Sequence, residues 1–332
     1  MTTLAYRTFC ALLGVVLSGL PLVGSAHAQV AGRLPRLCFL TFDPVGTGPS
    51  RYTPFFERLR ELGYVDGKSI AIERLSADGK AERFPALAAD CVGHGADVIV
   101  TGSTPATQAA KEATSTIPIV MLTLGDPVGT GLVKSLARPD GNVTGTTNLA
   151  PQMMVKGLEL LKETIPSLTR VLVLTYPVDP ISRGQIAAMQ GAAKSLALEL
   201  FVQNVASPAD FAPAFEAGRK AEVQAIVTTV ESIFSANREL LLGLVKTQKL
   251  PSLFAVNYFV QAGGLMSYDA DRDVLTGRTA NFVDKILKGA KPGDLPIEQP
   301  AVFTISVNTN TARALGITIP AAILARATEV ID

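Results

Sequence analysis

The sequence has no tryptophan, only two histidines and three cysteines, and no excess of either charge, with 30 Lys and Arg against 29 Asp and Glu. Balanced charge without a basic cluster argues against nucleic acid and against an anionic membrane surface as partners. With so few histidines and cysteines there is no metal-ligand cluster and no paired C-x-x-C. The chain also lacks a G-x-S-x-G elbow and a G-x-x-x-x-G-K-S/T phosphate loop, and Gly46-Thr47-Gly48 lacks the third glycine of a dinucleotide fingerprint. His94, set between Gly93 and Gly95 at a predicted helix end, is expected to cap or face solvent. No nucleophile with a base can be found. The reading is therefore of a protein without catalytic residues, metal or cofactor.

Long apolar runs are equally scarce. The one near the start, Ala11 to Val23, follows Arg7 and precedes the small-residue triplet Ala26-His27-Ala28, the pattern of a cleaved export signal over residues 1–28. It is too short to span a bilayer, which takes roughly 20 residues. Cys10 lies before the run, where it cannot become a lipoprotein anchor. The mature protein is expected to be periplasmic, without stable membrane insertion, and a monomer. Its two remaining cysteines, Cys38 in an apolar strand and Cys91 in an amphipathic helix, read as small buried hydrophobes, in a compartment that would permit a disulfide.

What is present is a repeated alternation of short apolar runs and helical stretches, the mark of parallel sheets covered on both faces. Strands are predicted at Leu37–Phe42, Ser69–Arg74, Asp97–Thr101, Ile117–Leu122 and Asn142–Thr146, with helices at Arg51–Leu62, Ala81–Val92 and Pro105–Ala113. A second series follows Pro151. It predicts helices at Met153–Thr164, Ser182–Ala197, Ala209–Ala221 and Phe234–Lys249, and strands at Arg170–Thr175, Glu199–Asn204, Ala225–Thr229 and Pro251–Val256. A helix at Val274–Leu287 and a strand at Val302–Val307 come last. Crossings near Asn148, Gly263 and Pro300 make two Rossmann-like α/β lobes joined by three hinge strands. The first lobe takes residues 29–148 and 263–298, the second residues 149–262 and 299–332.

Corresponding loops of the two series carry corresponding residues. After the first strands come Phe42-Asp43-Pro44 and Tyr176-Pro177-Val178-Asp179-Pro180; after the third come Thr101-Gly102-Ser103-Thr104 and Thr228-Thr229-Val230-Glu231-Ser232. All lie at carboxyl ends of strands, where open α/β sheets bind ligands, and two such edges facing each other form a cleft. Ser103 and Thr104 either cap a helix or offer its amino end to a ligand carboxylate. Asp126 either accepts from a ligand ammonium or fixes the turn before Pro127, and Glu231 and Asp269 are the alternative acidic partners. Asp43 and Asn148 complete the polar candidates. Among the scarce aromatics, Tyr176, Tyr258, Phe259 and Tyr268 either pack the hinge or form an aromatic wall. Asn142-Val143-Thr144 is a sequon only in form, since it falls in a predicted strand.

Leu59-Arg60-Glu61-Leu62-Gly63-Tyr64, Gly125-Asp126-Pro127-Val128-Gly129, Ser135-Leu136-Ala137-Arg138-Pro139, Gly141-Asn142-Val143-Thr144-Gly145 and Gly263-Gly264-Leu265-Met266-Ser267-Tyr268 closely resemble ABC transporter substrate-binding proteins of the tryptophan/tyrosine-binding type. The resemblance implies a type I periplasmic-binding-protein fold and a small amino-acid-like ligand, aromatic or other. It also implies a membrane permease with its ATPase as partners, and a ligand carboxylate held by first-lobe loops, which fits Ser103 and Thr104. A sensory protein that presents its closed form to a receptor kinase is the alternative. Two departures stand out: Asp43 puts an acid where a small polar residue is usual, and Cys38 replaces a usual glycine.

The leader makes a simple prediction. Protein recovered from a fractionated periplasm should begin at Gln29, as read by intact mass, whereas an amino terminus at Met1 would contradict export through this segment.

Overall fold

The computed structural model describes residues 33–44 and 51–332. The expected leader and the Gly46-Thr47-Gly48 run lie outside the described residues.

The first lobe runs β1 (Arg36–Thr41), α1 (Thr53–Glu61), β2 (Ala71–Ser76), α2 (Phe84–Gly93), β3 (Val98–Thr101), α3 (Thr104–Ala113), β4 (Ile119–Leu124) and β5 (Val143–Thr147). Its sheet has the order β2-β1-β3-β4-β5, with every pairing parallel. Alternate residues leave opposite faces of a strand, and both faces here are covered. Cys38, Leu40, Ile99 and Met121 pack with residues of α2 and α3, while Leu37, Phe39, Val100 and Val120 pack with Phe55 and Leu59 of α1. The strands are thus buried on both sides, which is why they read as unbroken apolar runs.

The second lobe runs α4 (Ala150–Thr164), β6 (Arg170–Thr175), α5 (Ile181–Ser195), β7 (Glu199–Asn204), α6 (Phe211–Lys220), β8 (Ala225–Thr228), α7 (Ser232–Ala236), α8 (Arg238–Thr247), β9 (Ser252–Phe254), α9 (Tyr258–Gln261) and β10 (Met266–Ala270). Strands β7, β6, β8, β9 and β10 repeat the spatial order of the first sheet. After α10 (Arg272–Leu287) come β11 (Phe303–Asn308), α11 (Thr309–Leu315), α12 (Ala321–Arg326) and β12 (Glu329–Ile331). Strands β11 and β12 extend the second sheet to seven, and β10–β11 is its one antiparallel pair.

The crossings define the hinge. The first is Asn148-Leu149, where Leu149 adopts φ 57° before α4. The second lies at Asp271, eight residues beyond the expected Gly263. Gly263 instead closes the turn after α9, and Met266–Ala270 is a buried strand between β9 and β11, so this part of the expected first lobe sits in the second sheet. What returns is α10, packing Ala280, Phe282, Val283 and Ile286 into the first-lobe core, and the segment after it, whose Ile297 N–H donates to the Leu136 carbonyl at 2.8 Å. The third crossing follows Glu298, which bridges to Thr146 of the first sheet before β11 enters the second.

Other expectations need adjustment. Strands β2 and β4 each begin two residues later than predicted. The single helix expected over Phe234–Lys249 is two, α7 and α8, divided at Asn237, whose φ of −117° breaks the helical path. Cys38 and Cys91 form a disulfide, Cα to Cα 5.7 Å, where unpaired burial was expected. The pairing depends on how α2 lies against β1, which their separation of 53 residues does not reveal.

Gly145 shows a local constraint that the sheet depends on. Its φ is 136°, and a Cβ there would collide with the Met121 carbonyl of β4, where the register shifts between Met121 and Leu124. A left-handed backbone against a neighbouring strand accepts only glycine.

Removing the disulfide by Cys38→Ala with Cys91→Ala should cost about 2–4 kcal/mol, since it lengthens the unfolded chain's freedom over a long loop. Urea unfolding with and without reductant measures this; coincident midpoints would contradict it.

Candidate functional site

Each sheet reverses its strand order between its first and third strands, so the loops after β1, β3, β6 and β8 border one crevice. The crevice encloses about 680 Å³, including the open solvent at its mouth. One wall comes from the first lobe: Arg51 and Tyr52 ahead of α1, Gly102, Ser103 and Thr104 at the start of α3. Asn148 at the hinge and Arg272 and Thr276 of α10 continue it. The other wall is Asp179 with the Thr228–Ser232 loop, Phe234 and Ser235.

The start of α3 lines the crevice. Ser103 is extended, φ −159° and ψ 159°, and its hydroxyl accepts from the Ala106 N–H at 3.4 Å. Pro105 removes one N–H that would otherwise be unpaired in this first turn. Both Ser103 and Thr104 are buried and line the crevice, so the cap and the lining are the same residues. Gly102 has to be glycine for Tyr52 to approach, because a Cβ there would collide with the Tyr52 hydroxyl.

Opposite stand two buried carboxyls. Burial pushes Asp179 up to about 7, against the Ile181 N–H at 3.2 Å and the Thr104 hydroxyl, which favour its charged form. Burial likewise raises Glu231 well above the carboxylate range, and the charge of Asp179 adds to it. Glu231 is held by the Thr229 hydroxyl, the Tyr176 N–H and the Gln185 amide at 3.0 Å. The Val230 N–H fixes which way that amide points, by donating to its oxygen at 2.8 Å. Two acids in one dry wall cannot both ionise cheaply. They gain most from a cation.

The walls touch. The Arg51 guanidinium donates to the Ser232 hydroxyl at 3.1 Å, and the Thr104 hydroxyl reaches Asp179. Phe42 meets Tyr176 edge-on at 6.4 Å between ring centroids. A Cβ on Gly125 would strike the tip of Ile181, so this seam also needs its glycine. The arrangement is a closed cleft.

Not all expected site residues come together. Ser103, Thr104, Asn148 and Glu231 line the cleft. Asp43 stands behind it, paired with Arg51 at 2.9 Å. Asp126 accepts from the Gly129 N–H at 2.8 Å and from the Thr130 hydroxyl through its carbonyl at 2.7 Å, which is the turn role rather than the ammonium role. Tyr176 is buried against Phe42, and burial with nearby acids pushes its phenol up to about 12; its contribution to Glu231 is a backbone N–H. Tyr268 stacks on Phe303 at 5.4 Å, away from the lining. Asp269 lies buried beside Arg272, raised to about 7 by burial against the opposing Arg272 charge. Tyr258 bonds the Ser235 hydroxyl at 2.6 Å, and Phe259 reaches the lining.

Sequence reasoning passed over Arg51, Tyr52, Asp179 and Arg272. The first two read as the opening of a helix. Asp179, between a valine and a proline, reads as a turn former, although its position matches Asp43 in the repeat. Among the described residues, no group of three or more His, Cys, Asp and Glu is placed to hold a metal, and no helix is long and apolar enough to cross a membrane.

Residues 49–331 match the protein family described as ABC transporter substrate binding protein. The Tyrosine-binding protein of Clostridioides difficile (strain R20291) is 27% identical over 261 residues, covering 79% of this chain and 75% of the relative. Among solved structures, a conserved domain protein from Vibrio cholerae superposes with a TM-score of 0.84 at 28% identity, covering 90% of this chain and 100% of that one. The ABC domain from Streptococcus pneumonia in complex with L-Trp gives 0.81 at 28% identity, with 89% and 100% coverage. The fold is that of type I periplasmic binding proteins, and the matching family is one of substrate-binding proteins.

The buried acids predict a pH dependence. Asp179 and Asp269 are raised to about 7 from the 3.8 of an exposed aspartate, so the folded chain holds protons that the unfolded chain releases between those values. Their contribution is fully present below pH 3.8 and is lost as pH rises through about 7. Ligand-free protein should therefore unfold at a higher temperature at pH 5 than at pH 8, and Asp179→Asn should flatten that slope by up to about 1.4 kcal/mol per pH unit. An unaltered slope in the variant would show that Asp179 stays ionised.

Proposed function

We propose that this chain, which belongs to the ABC transporter substrate-binding protein family, is the periplasmic component of an importer and captures a small amino-acid-like ligand between its lobes. The observation that carries the reading is the opposition across the cleft of a helix amino end and two buried carboxyls. The dipole at the start of α3, with the Ser103 and Thr104 hydroxyls, suits a carboxylate. Asp179 and Glu231 suit an ammonium.

Ligand binding then exchanges partners. The bond from Thr104 to Asp179 gives way to a ligand that contacts each wall, its ammonium taking the place of protons on the buried acids. Differential affinity for the closed arrangement is what shifts a hinged pair of lobes. The tyrosine and L-Trp named for two relatives support the amino-acid class. A permease and its ATPase are the partners this role requires, since the described residues contain no helix that could cross a membrane.

The test is calorimetry on the ligand recovered from denatured native protein. A Ser103→Ala, Thr104→Val double variant should lose roughly tenfold to a hundredfold in affinity at each position that contacts the ligand, following the 1.5–3 kcal/mol of a hydrogen bond to a charged group. Asp126→Asn should change affinity little, because that carboxylate is committed to its turn. Equal affinities for the parent and the double variant would reduce Ser103 and Thr104 to a helix cap.

A further inference from the structure

The amino-acid reading uses the start of α3 and the two carboxyls, and it leaves two cations of the lining without a task. Arg51 and Arg272 both line the cleft. They come from the starts of α1 and α10, which pack side by side on one face of the first sheet. Each keeps a buried Nε for which the structure shows no hydrogen-bond partner among the described residues. A guanidinium cannot shed its charge, and burying an unpaired donor of a charged group is costly.

Their protein partners do not exhaust them. Arg51 meets Asp43 at 2.9 Å and Ser232 at 3.1 Å through one terminal nitrogen, Nη2, and also contacts the Tyr52 ring and hydroxyl, but its Nε stays unused. The acid beside Arg272 is Asp269, whose own Oδ1 has no hydrogen-bond partner and whose carboxyl burial holds near neutral pH in protonated balance, at about 7. Asn148 lines the same cleft, 1% exposed, and its Oδ1 also has no hydrogen-bond partner among the described residues. The first-lobe wall of the cleft therefore carries two guanidinium groups with unused donors. A bare aromatic ring would leave those donors unpaired. A planar carboxylate matches the fork of a guanidinium.

We propose that the ligand's side chain bears a second carboxylate, received by Arg51 and Arg272, so that this protein selects acidic amino acids over tyrosine- or tryptophan-like ones. The inference rests on the amino-acid reading above. Asp43 then has a positioning role: it holds the Arg51 guanidinium in the cleft wall.

Calorimetry of the purified, ligand-stripped protein against L-aspartate, L-glutamate and L-2-aminoadipate, against the amides L-asparagine and L-glutamine, and against L-tyrosine and L-tryptophan tests this. At least one acidic amino acid should bind more tightly than its amide counterpart by about tenfold or more, the range of a hydrogen bond to a charged group. It should also exceed both aromatics. Arg51→Gln and Arg272→Gln should erode the acid-over-amide ratio while changing amide binding little, and Arg51→Lys should restore charge without the fork and recover only part of it. Tighter binding of tyrosine or tryptophan than of every acid would overturn the proposal and leave the amino-acid reading standing. Equal binding of acid and amide by the parent protein would overturn it without recourse to any variant. Equal losses for acids, amides and aromatics in the arginine variants would assign these residues to closure instead. Failure of all these amino acids to bind would take down the amino-acid reading as well.

Discussion

The constraint on which the structure turns is the removal of ionisable groups from water when the two lobes meet. Arg51, Asp179, Glu231 and Arg272 all line one closed cleft. An isolated charge taken from water into protein is costly, and the group pairs or neutralises instead. Here the protein uses both routes. Arg51 is raised further into its charged range, burial opposing and Asp43 with Tyr52 outweighing it. Asp179 and Glu231 go the other way, burial shifting both toward their protonated forms. On our proposal, a ligand with charges of its own completes the electrostatics of this cleft. Closure and capture are then one event.

The scaffold exists to bring those groups to one place. Two sheets with the same strand order each present two loops at their reversal point, and three crossings allow the sheets to approach as bodies. Glycines are spent where the approach is tightest: Gly102 against Tyr52 within a wall and Gly125 against Ile181 across the seam. Away from the cleft the first lobe is stiffened by the disulfide between β1 and α2, and the return of α10 to the first-lobe core ties the second crossing down. Rigid lobes leave the hinge as the part that moves.

Much of this could be read from the chain, and the reasons for the misses are physical. Apolar runs marked the strands because parallel strands covered on both faces need them, and the matched loops after the first and third strands located the cleft. Ser103 and Thr104 stand out in the chain as helix-cap residue types at a strand end, and the structure places them in the cleft lining as a cap. Asp126 was ambiguous between turn and ligand roles, and its contact with the Gly129 N–H resolves it as a turn. Tyr268 misled because an aromatic beside a glycine pair reads as hinge, whereas β10 is an interior strand and the ring stacks on Phe303 of its antiparallel neighbour. Arg51 and Arg272 carried no local signal at all. Arginines at helix starts are ordinary surface residues until tertiary packing turns them into a cavity, and the same holds for the cysteine pair.

Small-angle X-ray scattering tests the central claim most directly, that charge completion by a ligand closes two lobes about a three-strand hinge. Native mass spectrometry before and after denaturation identifies the molecule the protein retains, and scattering then compares the stripped and saturated forms. The account predicts one ligand per chain and a smaller radius of gyration on saturation. A ligand that binds between the lobes with no change in radius at either pH 5 or pH 8 would contradict it.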